Sequence, residues 1–217
     1  MSKDMEFLKD EKDCYGKMYV DLTYSIDNIS PFIDSKELNN RKYVAKLSVL
    51  KKYIELIEAA QGELSKKSGF SRLFSDNKYV DLLNTYKRDN RETLTQLENC
   101  SHCVYRNCME DKFDGCLGCK SGSRIVYCDN KKISVRLHDN WVLDLTNDRT
   151  GASDKYTVLA TLQDVELDKK YIITENLITK EKFILNYYPG ISEDSYGEIT
   201  DPEEFDFIVS TYQSIEA

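Results

Sequence analysis

Six cysteines between residues 100 and 128 are the side chains best suited to chemistry in this chain of 217 residues. They follow the spacing C-x2-C-x4-C-x7-C-x2-C-x8-C, in a chain that has only seven cysteines in total. A C-x2-C pair turns two thiolates toward one ion, and two such pairs complete the tetrahedron of a structural zinc site. The spacing therefore predicts a zinc-knuckle-like centre. The six residues are Cys100, Cys103, Cys108, Cys116, Cys119 and Cys128.

The number of metal ions stays open. The simplest assignment places one zinc ion between the two C-x2-C pairs, which leaves Cys108 and Cys128 outside the site. A second assignment uses all six thiolates for two zinc ions, and its spacing is similar to the two-zinc cluster of fungal transcription factors. In that family the first lone cysteine usually follows a longer gap than the four residues found here. An iron–sulfur cluster is the less favoured third assignment.

Two glycines support a turn wrapped around a metal. Gly115 and Gly118 flank Cys116 in the run D-G-C-L-G-C, where we expect them to supply positive φ angles. Asn99 is predicted to end a helix just before the first C-x2-C pair.

The residue types argue against catalysis. A hydrolytic zinc keeps an open position beside histidine or carboxylate ligands, and the chain has only two histidines. His102 is expected to face solvent, and no nucleophile can be placed beside His138 and Asp139. Calcium, phosphate and dinucleotide loop motifs are missing from the sequence. We therefore predict a structural metal and no enzymatic activity.

Charge is unevenly distributed along the chain. Residues 1–99 are balanced, residues 100–137 carry a net +3, and residues 138–217 carry a net −11, within a total of −8. The acidic part disfavours nucleic-acid binding, and only the cysteine segment offers a basic surface. Its phosphate-binding candidates are Arg106, Lys112, Lys120, Arg124, Lys131 and Lys132.

Location is predicted from the absence of membrane and export signals. No apolar run approaches the roughly 18 residues needed to cross a bilayer. The charged start MSKDMEFLKDEKD lacks the apolar region of a signal peptide. We expect a cytoplasmic protein with reduced cysteines, in which the isolated Cys14 is a free thiol.

The first half is predicted to be helical. Residues 1–34 are read as a lead-in segment, extended or forming a short strand, and residues 35–99 as a helical hairpin. Its helices cover 35–61 and about 76–98, the second capped by Asp76 or Ser75. A hairpin of this kind leaves a seam through which the chain can form a homo-oligomer. We expect three apolar side chains of the connecting loop to pack on the helices: Phe70, Leu73 and Phe74.

The second half is predicted to be rich in β-structure. Residues 100–146 form a cysteine-rich zinc-binding segment with short strands, and residues 147–154 read as a linker. Residues 155–217 form an acidic β-rich domain with a C-terminal helix, which Asp201 caps and Pro202 begins. The predicted fold class is α+β.

Residues 155–215 resemble a known family. Strands containing Y-x-I and F-x-L runs, an acidic turn and the run D-P-E-E-F-D-F-I-V-S-T-Y are similar to a small acidic family of unknown function from Firmicutes. The resemblance implies a bacterial origin and a β-meander followed by a short helix. It implies no activity.

Together these features predict a non-enzymatic, cytoplasmic zinc-binding interaction protein. A structural metal site is expected to join the helical hairpin to the acidic β-rich domain, with a protein as the partner. The alternative is a nucleic-acid-binding regulator that uses the basic surface around the cysteines.

Overall fold

A helical first unit, Met1–Ser101, precedes a second unit, His102–Ala217, that is built on one antiparallel sheet. This arrangement confirms the predicted α+β class. The computed structural model describes residues 3–66, 78–109, 112–117, 119–146, 150–151 and 153–216. None of the helices in these ranges is long and apolar enough to traverse a bilayer.

The first unit contains five helices within its described residues. The first of them occupies the segment predicted to be an extended lead-in or short strand, so that prediction is wrong. Its buried side chains include Leu8, Met18, Leu22 and Ile29, whose separations of ten, four and seven residues are sums of threes and fours and place them on one helical face. The helices are α1 (Lys3–Ile29), α2 (Ser35–Asn40), α3 (Lys42–Lys66), α4 (Lys78–Asp89) and α5 (Arg91–Ser101).

Both predicted helices of the hairpin are interrupted. The first begins at Ser35 as expected, but the chain takes an extended conformation at Arg41 and separates α2 from α3. The second is divided at Asn90, whose side chain donates a hydrogen bond to the carbonyl of Tyr86 at 2.9 Å. Such local bonds to the backbone favour helix ends. The predicted loop contacts of Phe70, Leu73 and Phe74 and the caps Ser75 and Asp76 lie outside the described residues.

The long helices α1 and α3 run antiparallel. Leu8 near the start of α1 packs with Ile57 and Ala60 near the end of α3. At the opposite end, Ile29 packs in one cluster with Tyr43. The core of this unit therefore depends on a helix that the predicted two-helix hairpin did not contain.

The second unit begins with a 3-10 helix (Val104–Asn107) and continues into seven strands within its described part. The strand order is β1-β2-β4-β5-β6-β7, and β3 pairs with β4. Since β4 pairs with both β2 and β3, the predicted domains 100–146 and 155–217 are one unit. The strands are β1 (Ser123–Cys128), β2 (Ile133–His138), β3 (Val142–Thr146), β4 (Ser153–Asp164), β5 (Lys169–Asn176), β6 (Lys182–Tyr188) and β7 (Ser195–Gly197).

The C-terminal helix α6 (Pro202–Glu216) covers one face of the sheet. Asp201 caps it as predicted, because its carboxylate accepts a hydrogen bond from the Glu203 N–H at 3.0 Å. Ile208 and Tyr212 pack against the apolar side chains of β2, β4 and β5. Strands alternate their side chains between faces, so the polar side chains of β2 and β4 lie on the face opposite α6.

Candidate functional site

Three of the predicted zinc ligands share one neighbourhood in the second unit. Cys116 and Cys119 lie in a tight turn in which the Cys119 N–H donates to the Cys116 carbonyl at 3.3 Å. Burial raises the pKa of the Cys103 thiol, backbone hydrogen bonds from Ile125 and Tyr105 lower it, and the charges of Cys116 and Cys119 raise it further. The sulfurs are therefore close enough to act on one another electrostatically.

These thiols are not arranged as a finished metal site. Within the ranges that the structure describes, no three cysteine, histidine or acidic side chains form a metal-binding group. The Cys119 sulfur lies 3.3 Å from the hydroxyl oxygen of Ser123. Cys100 belongs to the first unit, where Gln96 on the same helix donates to its sulfur at 3.5 Å. Zinc binding stays a prediction.

Cys108 and Cys128 form a separate pair. Their thiols donate to the same side-chain oxygen of Asn130 at 3.7 Å and 3.6 Å. A small cavity of about 210 Å³ lies beside them, lined also by Tyr105 and Asn107. The role of Cys108 and Cys128 as zinc ligands stays a prediction.

The turn before Cys116 has the backbone conformation expected of it. Gly115 has a φ of +45°, as predicted, and its α-carbon faces the ring of Tyr105. Gly118, for which a positive φ is also predicted, lies outside the described residues.

Polar side chains of the sheet hold the segment that leads into this turn. A terminal nitrogen of Arg136 on β2 donates to the Gly115 carbonyl at 2.7 Å. Gln163 on β4 accepts a hydrogen bond from the Asp114 N–H at 2.9 Å, and Lys170 on β5 forms an ion pair with the Asp114 carboxylate. The position of the cysteine turn is thus set from three adjacent strands.

A cavity of about 300 Å³ lies between this segment and the sheet face opposite α6. Sequence reasoning missed it, because its walls come from distant parts of the chain that only strand pairing brings together. The sequence does contain one indication of a polar sheet face: polar residues alternate with apolar ones in S-x-R-x-H on β2 and in T-x-Q on β4. The charged and aromatic side chains of its walls include Lys120, Arg136, His138, Trp141, Lys170 and Tyr187.

Aromatic and cationic groups meet at the wall of the cavity. The Lys120 ammonium lies 3.5 Å from the centroid of the Trp141 ring, within range of a cation–π interaction. The His138 ring meets Trp141 edge-on at 4.8 Å and has its Nε2 atom 2.9 Å from the Thr161 hydroxyl oxygen. Burial and the charges of Arg136 and Lys120 lower the pKa of His138 to about 3. His138 is therefore neutral at physiological pH.

The basic residues named for the nucleic-acid alternative have different surroundings. Arg124 is ion-paired with Asp139 at 3.1 Å, and the Lys132 ammonium lies 3.5 Å from a Glu166 oxygen. Lys120 lines the cavity, Lys112 and Lys131 are exposed, and Arg106 is half-buried. Nucleic-acid binding stays a prediction.

The fold and the site define a two-unit α+β protein with a cysteine-rich turn anchored to an antiparallel sheet. No family model, curated protein or solved structure matches this chain. The likeness of residues 155–215 to the Firmicutes family also stays a prediction, although the strands β4 to β7 do form a meander that precedes a helix.

Proposed function

We propose that this protein is a non-enzymatic zinc-binding interaction protein, in which one structural zinc ion fixes the cysteine turn of the second unit. The observation that carries the proposal is the packing of the Tyr105 ring on Gly115, which brings the segment after Cys103 against the turn that contains Cys116 and Cys119. Three thiols in one neighbourhood suit the preference of zinc for sulfur ligands.

Zinc binding would change the ionisation of these thiols. Burial and the charges of Cys116 and Cys119 raise the pKa of the Cys103 thiol. A zinc ion reverses that balance, because it binds the thiolate and releases the proton. Cys100 is the fourth ligand expected from the C-x2-C spacing, and its role rests on that spacing alone.

A structural role fits the surroundings better than a catalytic one. Ligation by sulfur alone closes the tetrahedron and leaves no position for a substrate. Arg136, Gln163 and Lys170 already bind the segment that leads into the turn. An ion would therefore stabilise a turn whose position the sheet determines. The proposed protein partner would contact the turn at Leu117, which lies between its two cysteines and is 81% exposed.

Limited proteolysis with and without a zinc chelator tests the proposal. We expect chelation, or the substitution Cys116→Ser, to accelerate cleavage between residues 100 and 128. Cys14→Ser is the matched control, because Cys14 is exposed on α1 and lies outside the cysteine segment. A wild type whose cleavage rate is unchanged by the chelator and equal to that of Cys116→Ser would contradict the proposal.

A further inference from the structure

The cavity on the sheet face opposite α6 carries positive charge, although the second unit as a whole is acidic. Residues 100–137 have a net charge of +3 and residues 138–217 one of −11, yet three cations and one acid are found among the described residues that line this cavity. The acid, Asp114, is already ion-paired with Lys170. Lys120 and Arg136 therefore give the cavity an excess of positive charge.

Acidic groups nearby are already bonded. Asp194 accepts hydrogen bonds from the Tyr187 hydroxyl at 2.9 Å and from the Gly190 N–H at 3.1 Å. Its charge offsets part of the positive potential at Lys120. An anion in the cavity would therefore contact cations and neutral hydrogen-bond donors of the walls. The carboxylates of Asp114 and Asp194 already have partners in the protein.

The walls also provide flat apolar surface. The rings of Trp141 and Tyr187 lie 6.1 Å apart in an edge-to-face arrangement, and the His138 ring adjoins Trp141. Rings arranged in this way bind a planar group by stacking or by edge contacts. The volume of about 300 Å³ suits a ligand at the small end of the usual range.

We propose that this cavity binds a small organic anion that contains both a phosphate or carboxylate and a planar ring. Lys120 and Arg136 contact the anionic group, and Trp141 and Tyr187 contact the ring. This site goes beyond the proposed zinc centre, because none of these four residues is a proposed metal ligand. A nucleoside monophosphate and an aromatic carboxylate both have this chemistry.

The chain supplies its own reporter for the test. Trp141 is the only tryptophan, so fluorescence excited at the red edge of tryptophan absorption monitors this cavity alone. The full-length protein, purified with its metal, is titrated with adenosine 5′-monophosphate and with benzoate. Adenosine and inorganic phosphate are the comparison ligands, since each has only half of the proposed chemistry.

We expect a saturable fluorescence change with at least one of the two ring-bearing anions, and affinities at least about tenfold lower for adenosine and for phosphate. The comparison of the monophosphate with benzoate shows which of these two ligand types the cavity prefers. Added salt is expected to weaken binding, because the contact is partly electrostatic.

Two variants make the test specific. Lys120→Gln is expected to lower the affinity at least about tenfold. Lys182→Gln is the matched control, because its ammonium also contacts an aromatic ring, that of Tyr212 on α6. No saturable change with either ligand, equal binding of adenosine, or unchanged affinity in a folded Lys120→Gln variant would overturn the proposal.

Discussion

A Cβ atom added to Gly115 would lie 2.3 Å from Cε1 of Tyr105, closer than real Cβ atoms approach any neighbour. Tyr105 is buried in the 3-10 helix that follows Cys103, and Gly115 directly precedes Cys116. The packing of this ring on this glycine therefore brings together the two segments that carry the predicted zinc ligands.

Replacing Gly115 with alanine should destabilise the second unit by about 3 kcal/mol. The new methyl group would overlap the Tyr105 ring, and the φ of +45° is unfavourable for alanine. The free energy of unfolding from denaturant titration measures the effect. Gly151→Ala is the control, since Gly151 has a φ of +69° and no atom of the described residues lies within 4 Å of an added Cβ. Equal losses in the two variants would show that the contact with Tyr105 is unimportant.

Replacing Gln163 with leucine should loosen the segment before the cysteine turn. The Asp114 N–H would lose its acceptor, at a cost of about 1 to 2 kcal/mol. Amide hydrogen exchange at Asp114 measures this local opening. Thr146→Val is the control, because it removes an exposed hydrogen bond to Ser153 elsewhere on the sheet. Exchange at Asp114 as slow as in the wild type would refute the anchoring role.

Stability should decrease as pH falls, through the titration of His138. Its folded-state pKa of about 3 lies below the ordinary value of 6.5, so the unfolded chain takes up the proton first as pH falls. The loss of stability is absent above pH 6.5 and grows steadily as pH falls from 6.5 toward 3. Unfolding titrations between about pH 5 and 7, where few carboxylates titrate, measure the slope.

The variant His138→Gln should flatten this pH dependence. His102→Gln is the matched control, because His102 is the other histidine of the chain and is exposed. Identical slopes in the wild type and His138→Gln would mean that His138 is not held neutral by burial and by the charges of Arg136 and Lys120.

Replacing Glu11 with glutamine should destabilise the first unit alone, by about 2 kcal/mol. Glu11 on α1 accepts hydrogen bonds from the Tyr53 hydroxyl and, at 3.0 Å, from the Lys87 ammonium, and so ties α1 to α3 and α4. Hydrogen exchange resolved by residue separates the two units. Glu58→Gln should change little, because its ion pair with Lys12 is exposed. Faster exchange in the second unit would contradict this prediction.

Elements with local signals were predictable from the sequence. The Asp201-Pro202 step located the start of α6, and the apolar spacing from Ser35 onward indicated a helix. The helix at the lead-in 1–34 is hard to recognise from sequence, because few of its 27 residues are buried and because apolar residues alternate with polar ones in YVDLTYSID. The burial of that helix depends on α3, which local pattern does not reveal.

The candidate site was only partly predictable. The cysteine spacing alone predicts that Cys103, Cys116 and Cys119 are neighbours, because C-x2-C turns are local and two of them suit one ion. The cavity was not predictable, since Lys120, Arg136 and Tyr187 meet only through strand pairing across more than 60 residues of sequence. The cysteine spacing also does not indicate that the thiols of Cys108 and Cys128 both donate hydrogen bonds to the side-chain oxygen of Asn130.

The metal content of the natively purified chain, measured by elemental analysis, tests the central claim most directly. We expect about one zinc ion per chain in the wild type and in Cys14→Ser, and a large loss in Cys103→Ser and Cys116→Ser. A chain that carries no zinc, or iron in its place, or that keeps its zinc when Cys103 and Cys116 are both replaced, would contradict the account.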